Sequence, residues 1–375
     1  MNNKQQIVLL FNTIYPQKTG GMEVYNYHLS SNLLVDKYSD IIMLLTDSTR
    51  IDNKRVFRIH SHCFGITRWG AGMLSVLLSC LFSPYIHIRR WKTVMIPYTS
   101  NFEYSAWPIL LFSKIFGFKY VIHCHGGAAR EWKTKGLQAK FFKRANHVTA
   151  VSQKIIAEYG KRTGCNIEYL PPLMDYRKSL LTKEDAKKRF GLDKYNKTIL
   201  YVGSFKPLKS PETLIKAFVS LPKEFVKEKN IGLVMAGSGE LLAELQAKYA
   251  SNPNIHILGA IKNEVIKDLY AAADVYVICS WFEGTPLALM EAMFNGLCCI
   301  GTKVQGIDAI ISDGENGLLF PKDNHKALSE LLGKSLENDV LAKQLGQTAQ
   351  EYYKTHYSYD NHLKQVLNLL DYSNN

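Results

Sequence analysis

The stretch "ADVYVICSWFEGTPLALMEAMFNG", residues 273–296, decides the fold. Its first part reads as a strand buried on both faces, since Val275 to Cys279 are all apolar or aromatic. "WFEG" reads as the exit loop, and Thr285 and Pro286 read as the N-cap and first residue of a helix. The backbone N–H groups of Leu287 and Ala288 would then be unpaired and free to bind an anion. That helix is apolar nearly all round (Leu287, Leu289, Met290, Ala292, Met293, Phe294), so it is expected to be buried. Strand, short loop and helix in this order are one step of a parallel α/β sheet. Two carboxylates stand in the step, Glu283 in the loop and Glu291 in the helix, the latter about 7.5 Å along the axis from Pro286. A buried carboxylate is costly unless hydrogen-bonded, and a vicinal diol offers two donors. A proton-transfer pair, a pair of nucleotide ligands, and helix decoration all remain open on these residues alone.

The same alternation runs through the rest of the chain. In the first half the strand candidates are "QIVLLF", "IIMLLT", "KTVMIPY", "KYVIHCH", "HVTAVS" and "IEYL", with helices expected at 22–35, 70–83, 104–117 and 134–145. "PPLMD" (171–175) interrupts the pattern, and a charged segment follows that reads as hinge and linking helix. The alternation then restarts with "TILYVGS", "IGLVMAGSG", "IHILGA", "ADVYVICS", "CCIGTKV" and "GLLF". Two α/β domains are expected, 1–172 and 173–356, with a terminal helix at about 357–375 packing back on the first.

Composition narrows the class. With 375 residues, 46% hydrophobic and 21% charged, the chain reads as soluble and globular. Its seven cysteines (63, 80, 124, 165, 279, 298, 299) show neither CxxC nor metal-type spacing, which suits a reducing, cytoplasmic setting. "IVLLF" at 7–11 reads as a first strand, and "AGMLSVLLSCLFSPYIHI" (71–88) is too interrupted for a spanning helix. The net charge of +13 is localised: residues 50–144 hold sixteen Lys/Arg against three acids, and the remainder balances. Such a patch implies an anionic lipid, nucleic acid or substrate. Trp69, Trp91 and Trp132 beside basic residues tilt the reading toward a membrane interface.

Further candidates fall where strands end, the place at which open α/β sheets bind ligands. Gly20 and Gly21 precede an amphipathic helix, which suits either a tight turn or the close approach of an anion. His125 ends the strand "KYVIHCH" on the same side as His123; an HxH pair alone makes no zinc site. "YVGSFKPLKSPETLIKAF" ends its strand at Gly203 and carries Lys206 and Lys209 before a helix near Pro211. Both lysines read either as diphosphate contacts or as solvated surface charge.

At this point the chain resembles a known family. "WFEGTPLALMEAMFNG", with seven residues between its glutamates, is similar to the signature of the family-four retaining glycosyltransferases of GT-B architecture, the glycosyl transferases group 1. "GGMEVYNYHLSSNL", "VIHCHGG", "HVTAVSQKI", "LPPLMD", "YVGSFKPLKSPETLIKAF", "VMAGSGEL", "DLYAAADVYVICS" and "VQGIDAIISDGENGLLFPKDN" follow in the family's order. The resemblance implies an α/β fold of two Rossmann-like domains facing each other across a cleft, with a nucleotide-diphosphate sugar held mainly by the second. By the same resemblance Glu291 holds the ribose hydroxyls and Glu283 contacts the transferred sugar. Backbone of Phe282, Glu283, Gly284, Thr285 and Leu287 surrounds sugar and diphosphate, and Gly203, Ser204, Lys206 and Gly237 belong to the donor site. Lys209 neutralises the departing diphosphate, helped by Gly20 and Gly21, and His125 touches the donor sugar. Glu283, Lys209 and His125 are thereby the catalytic set.

No D-x-D occurs, so neither metal nor other cofactor is expected beyond the UDP- or GDP-linked co-substrate. The chain departs from the family pattern at Ser204, where a basic residue is usual and Lys206 is the available substitute, at Ser210, and at "QGIDA" (305–309). The expected acceptor is lipid-linked or a surface polysaccharide, as in lipopolysaccharide or capsule synthesis. It is met at the inner face of the cell membrane, with the basic first half on anionic lipid. "YTSNFEYSAW" (98–107) supplies acceptor candidates Tyr98, Glu103 and Tyr104. Two other classes compete: a GT-B sugar-nucleotide epimerase, for which no acid/base set is visible, and a basic nucleic-acid-binding protein, for which no helix-turn-helix, zinc or stacking motif is visible. A glycosidase needs carboxylates facing each other across a bond, which a loop glutamate and a mid-helix glutamate do not supply.

Overall fold

The computed structural model describes residues 5–11, 25, 26, 29, 40–45, 54–58, 81, 87–98, 106–125, 135–172 and 176–371. The chain divides into two units, Met1–Asp175 with Tyr359–Asn375, and Tyr176–Ser358.

The first unit is built on seven parallel strands: β1 (Gln6–Phe11), β2 (Ile41–Leu45), β3 (Val56–Arg58), β4 (Trp91–Tyr98), β5 (Lys119–Cys124), β6 (His147–Ala150) and β7 (Glu168–Tyr169). Their order is β3-β2-β1-β4-β5-β6-β7. Period-2 alternation sends Val8, Leu10, Val94, Ile96, Tyr120 and Ile122 to one face. There they meet α1 (Ala106–Phe116), α2 (Lys135–Arg144) and α3 (Gln153–Thr163). Ile7, Leu9, Met43, Met95 and Val121 go to the other face and meet Val366 of the last helix, α12 (Tyr359–Leu369), and Leu370 just after it. Those two side chains are fully buried and contribute about 1.5–3 kcal/mol each. The exposed Lys119–Asp371 pair at 2.7 Å adds about 1 kcal/mol at most, so the apolar seam holds the helix. The helix expected at 104–117 is α1 and that at 134–145 is α2, while those at 22–35 and 70–83 lie mostly outside the described residues. The short edge strand β3 was not among the expected strands: three residues carry too little pattern.

The second unit has six parallel strands: β8 (Lys197–Val202), β9 (Ile231–Ala236), β10 (Ile255–Gly259), β11 (Val275–Ile278), β12 (Cys298–Thr302) and β13 (Leu318–Phe320). Their order is β10-β9-β8-β11-β12-β13. β11 pairs with β8 on one side (Val275 opposite Ile199) and with β12 on the other (Val275 opposite Cys298). All four of its residues are buried, as a strand covered on both faces requires. Ile199, Tyr201, Leu233, Met235 and Val277 pack on one layer, which contains α5 (Pro211–Val219), α6 (Lys223–Glu228), α7 (Leu242–Tyr249) and α10 (His325–Glu337). Leu200, Val234, Tyr276 and Ile278 pack on the other, with α8 (Asn263–Ala271), α9 (Leu287–Asn295) and α11 (Asp339–Tyr357). The charged segment after the unit boundary forms α4 (Lys183–Arg189). Thr182 caps it by accepting from the Asp185 N–H at 3.1 Å, and Arg189 ties it to Asp268 at 2.6 Å.

Candidate active site

The strand order of the second unit reverses between β8 and β11, so their exit loops part to leave a crevice at the C-terminal edge of the sheet. After β8 the chain runs through Gly203 and Ser204 into a 3₁₀ turn, Pro207–Lys209, and turns sharply at Ser210, whose φ is 43°. Pro211 then opens α5. That sequence sets Lys209 at the end of the turn, beside the exit of β11. Its Nζ lies 2.5 Å from Glu283 Oε1, and Ser280 donates to the same oxygen at 2.5 Å. Glu283 is buried and Lys209 half-buried. Breaking such a pair from one side costs about 3–5 kcal/mol, because the remaining charge stays in the interior.

Backbone contacts lock the loops together. Trp281 N–H donates to Leu208 O at 2.9 Å, joining the exits of β8 and β11, and Glu283 N–H donates to Gln305 O at 3.2 Å, joining β11 to β12. Phe205 N–H donates to Ser238 O at 2.8 Å, joining β8 to β9. Two glycines are required by this closeness. A Cβ on Gly237 would stand 1.8 Å from Gly203 O, and one on Gly306 would stand 2.2 Å from Glu283 O; both have positive φ. The "QGIDA" departure therefore supplies the backbone that seats Glu283. At the rim, Trp281 is half-exposed, donates from Nε1 to Asp323 Oδ1 at 2.6 Å, and lies under Lys322 Nζ at 4.3 Å.

Glu291 is half-buried on α9. Burial pushes its carboxyl above the usual carboxylate range, and a hydrogen bond from Tyr270 opposes that shift. Tyr270 Oη on α8 donates to Glu291 Oε2 at 2.8 Å and also lies 3.1 Å from Ala288 O. Tyr176 donates to Leu287 O at 3.1 Å. The start of α9 corrects the expectation. Pro286, not Thr285, is the flanking cap residue, with Leu287 the first helical residue. The Leu287 N–H is not free either: it turns back onto Thr285 O at 3.0 Å, while Pro286 O accepts from Met290 N–H at 3.1 Å. The backbone at Pro286, with ψ of 80°, keeps it outside the helix.

The remaining expected residues divide by unit. Gly203 donates to Ala236 O, Ser204 O accepts from Tyr201 Oη at 3.0 Å, Lys206 is exposed, and Phe282, Gly284 and Thr285 are half-buried in the β11 exit. His125 follows β5 in the first unit, its ring 4.4 Å from both Tyr25 and His123. His362 of α12 approaches the same tyrosine, Nε2 to Oη at 3.3 Å. Burial, with a further contribution from neighbouring histidines, pushes His125 down to about 3 and His123 well below 6.5; burial also pushes His362 down to about 3. All three are neutral imidazoles near pH 7. His123 Nδ1 meets Thr149 Oγ1 at 2.8 Å, while its Nε2 has no partner among the described residues. Tyr98 ends β4 with its side chain outside the description, and Gly20, Gly21, Glu103 and Tyr104 lie outside the described residues. The structure thus brings Lys209, Glu283, Gly203 and Gly237 onto one edge. Ser280, Tyr270 and Gln305 were not foreseen; only Ser280, three residues before Glu283, is near its partner in sequence.

Residues 182–352 match the family model of the glycosyl transferases group 1. That stretch is a glycosyl transferases group 1 domain, and the chain that carries it is a glycosyltransferase. It is 24% identical to an uncharacterized glycosyltransferase of Methanocaldococcus jannaschii, with 97% of this chain and 98% of that one aligned. It is 28% identical to the N-acetyl-alpha-D-glucosaminyl L-malate synthase of Bacillus anthracis, over 54% of each chain. The Campylobacter jejuni GalNAc-alpha-(1->4)-GalNAc-alpha-(1->3)-diNAcBac-PP-undecaprenol alpha-1,4-N-acetyl-D-galactosaminyltransferase is 32% identical over 41% of this chain and 42% of its own. The fold matches that of Anabaena Alr3699/HepE in complex with UDP and glucose, at a TM-score of 0.70, 16% identity and coverage of 98% and 99%. The glycosyltransferase from Rickettsia africae gives 0.74 at 17% identity, over 99% and 98%. Two parallel α/β sheets in series are the GT-B architecture of this glycosyltransferase.

Proposed function

We propose that this glycosyltransferase moves a sugar from a UDP- or GDP-linked donor, with retention of configuration and without a metal ion, to a lipid-linked or surface-polysaccharide acceptor at the inner face of the cell membrane. The observation that carries the donor half is the Lys209–Glu283 pair at the switch point of the second sheet. Breaking the C1–O bond of such a donor leaves negative charge on the diphosphate, and a cation already positioned beside that oxygen lowers the barrier without reorganising. Lys209 is that cation. Glu283 sets its position and offers a carboxylate to the sugar hydroxyls. Glu291 accepts from the ribose hydroxyls with Tyr270 fixing its other side, and His125, neutral, exchanges hydrogen bonds with the donor sugar. The UDP and glucose named in the Anabaena structure support the donor class. The undecaprenol-linked substrate in the Campylobacter name, and the basic 50–144 region, support a lipid-linked acceptor.

The test is a thermal-shift screen of UDP- and GDP-sugars followed by calorimetry of Glu291→Ala with whichever binds. Losing a charged acceptor for two hydroxyls weakens affinity by about 10–100-fold. Unchanged affinity would remove Glu291 from the donor site.

A further inference from the structure

Helix α1 has an inner face that suits a core and an outer face that does not suit water. Ala106, Pro108, Ile109, Phe112 and Ser113 are buried. The outward positions Trp107, Leu111 and Ile115, four residues apart, are 38%, 45% and 59% exposed. They form one row along the helix, and the other exposed residue is Lys114. Elsewhere among the described residues exposed large apolar side chains stand singly or in pairs, Leu180 with Leu181 and Leu208 with its backbone neighbour Trp281.

The surroundings of the row are cationic. Helix α2, which packs beside α1, exposes Lys140, Lys143 and Arg144 and contains no acid. Helix α3, beside α2, exposes Lys154, Lys161 and Arg162; its one acid, Glu158, is 3.2 Å from Arg162. All three helices share one buried cluster against the same side of the sheet, so the row and its basic border lie on one face of the unit. At 11 residues α1 is about 16 Å long, far short of a bilayer's hydrocarbon core, and no described helix is long and apolar enough to cross a membrane.

We propose that this face docks on an anionic lipid bilayer, with Trp107, Leu111 and Ile115 entering the headgroup boundary and the lysines and arginines of α2 and α3 meeting lipid phosphates. The proposal rests on the membrane-surface part of the function given above and adds the residues that make the contact. Apolar anchors rimmed by Lys/Arg are what such a surface selects. A second copy of the chain fits less well, because a symmetric pairing of this face would set basic helix against basic helix.

Co-sedimentation of the full chain with phosphatidylcholine vesicles, with and without phosphatidylglycerol, tests it. The mixed vesicles should bind at least about tenfold more protein, with binding falling as salt rises. Trp107→Ser, Leu111→Ser and Ile115→Ser combined should lower binding by at least about tenfold with the thermal midpoint unchanged. Lys140→Glu, Lys143→Glu and Arg144→Glu combined should abolish the preference for the anionic vesicles. If the wild type binds neither vesicle, the docking face and the membrane reading both fall. If the wild type binds and both variants bind equally well, the face is wrong while the membrane reading stands. If the serine variant instead turns a dimer into a monomer and leaves vesicle binding intact, the row belongs to a second copy and the proposal is overturned.

Discussion

The two units share a strand order yet load their strand exits with opposite chemistry. Read from one edge, both sheets run third, second, first, fourth, fifth, sixth, and the first sheet adds a seventh strand at the far edge. In the second unit the exits carry a half-buried lysine bonded to a buried glutamate, with four loops tied by backbone hydrogen bonds. In the first, the described exit of β5 carries His125 in a nest of Tyr25, His123 and His362 where burial keeps every ring neutral. Fold alone therefore does not choose the chemistry; the residues placed at one edge do.

The largest expected effect breaks this comparison by titration. His123 and His362 are fully buried, with folded values below the 6.5 of an exposed imidazole. As pH falls the unfolded chain takes up protons first, so their contribution is intact above about pH 6.5 and is lost progressively below it, for His362 down to about 3. Each costs on the order of 1 kcal/mol per pH unit inside that window, and the partly exposed His125 adds less. Urea unfolding at pH 7 and pH 5, followed by tryptophan fluorescence, reads mainly the first unit, which holds four of the five tryptophans. An equal midpoint at the two values would mean the nest is solvated.

Next comes the charged edge of the other unit. Lys209→Ala should lower kcat by about 10²–10³-fold, the scale of losing one preorganised charge partner in the transition state. Donor affinity should change far less than kcat. A kcat within threefold of wild type would make the Lys209–Glu283 pair a structural tie.

How much of this was legible in the sequence follows from range. Continuous apolar runs such as "ILYV" and "VYVI" announced buried parallel strands, because burial on both faces leaves no polar position. Glu283 and Lys209 were singled out as strand-exit residues, but their bond spans 74 residues and only the sheet order brings them together. Tyr270 could not be assigned to Glu291 from spacing, since it lies on a different helix 21 residues earlier. The start of α9 was misplaced by one residue because Thr-Pro suits both cap-then-first-turn and the observed arrangement, with proline itself outside the helix.

Tyr270→Phe sharpens the contrast at smaller scale. It removes the 2.8 Å bond to Glu291, should raise the glutamate's pKa further, and should weaken donor binding by about 3–10-fold. In a Glu291→Ala background the same change should do almost nothing, because the interaction it deletes is already gone. Equal losses in both backgrounds would give Tyr270 a role apart from Glu291.

The smallest expected effect separates two lysines of one loop. Lys206 precedes the 3₁₀ turn and is exposed, whereas Lys209 closes the turn against Glu283. An exposed lysine is mobile and screened, so it supplies little preorganised charge, and Lys206→Ala should change stability by less than about 0.5 kcal/mol. Its kcat should stay within about threefold of wild type. The comparison turns on Ser204, where the family's usual basic residue is missing and where the carbonyl instead accepts from Tyr201. If Lys206→Ala matched Lys209→Ala in turnover, Lys206 would be standing in for that residue, and the charge at this edge would belong to the whole loop. If only Lys209 matters, it belongs to the one lysine that a buried carboxylate holds still.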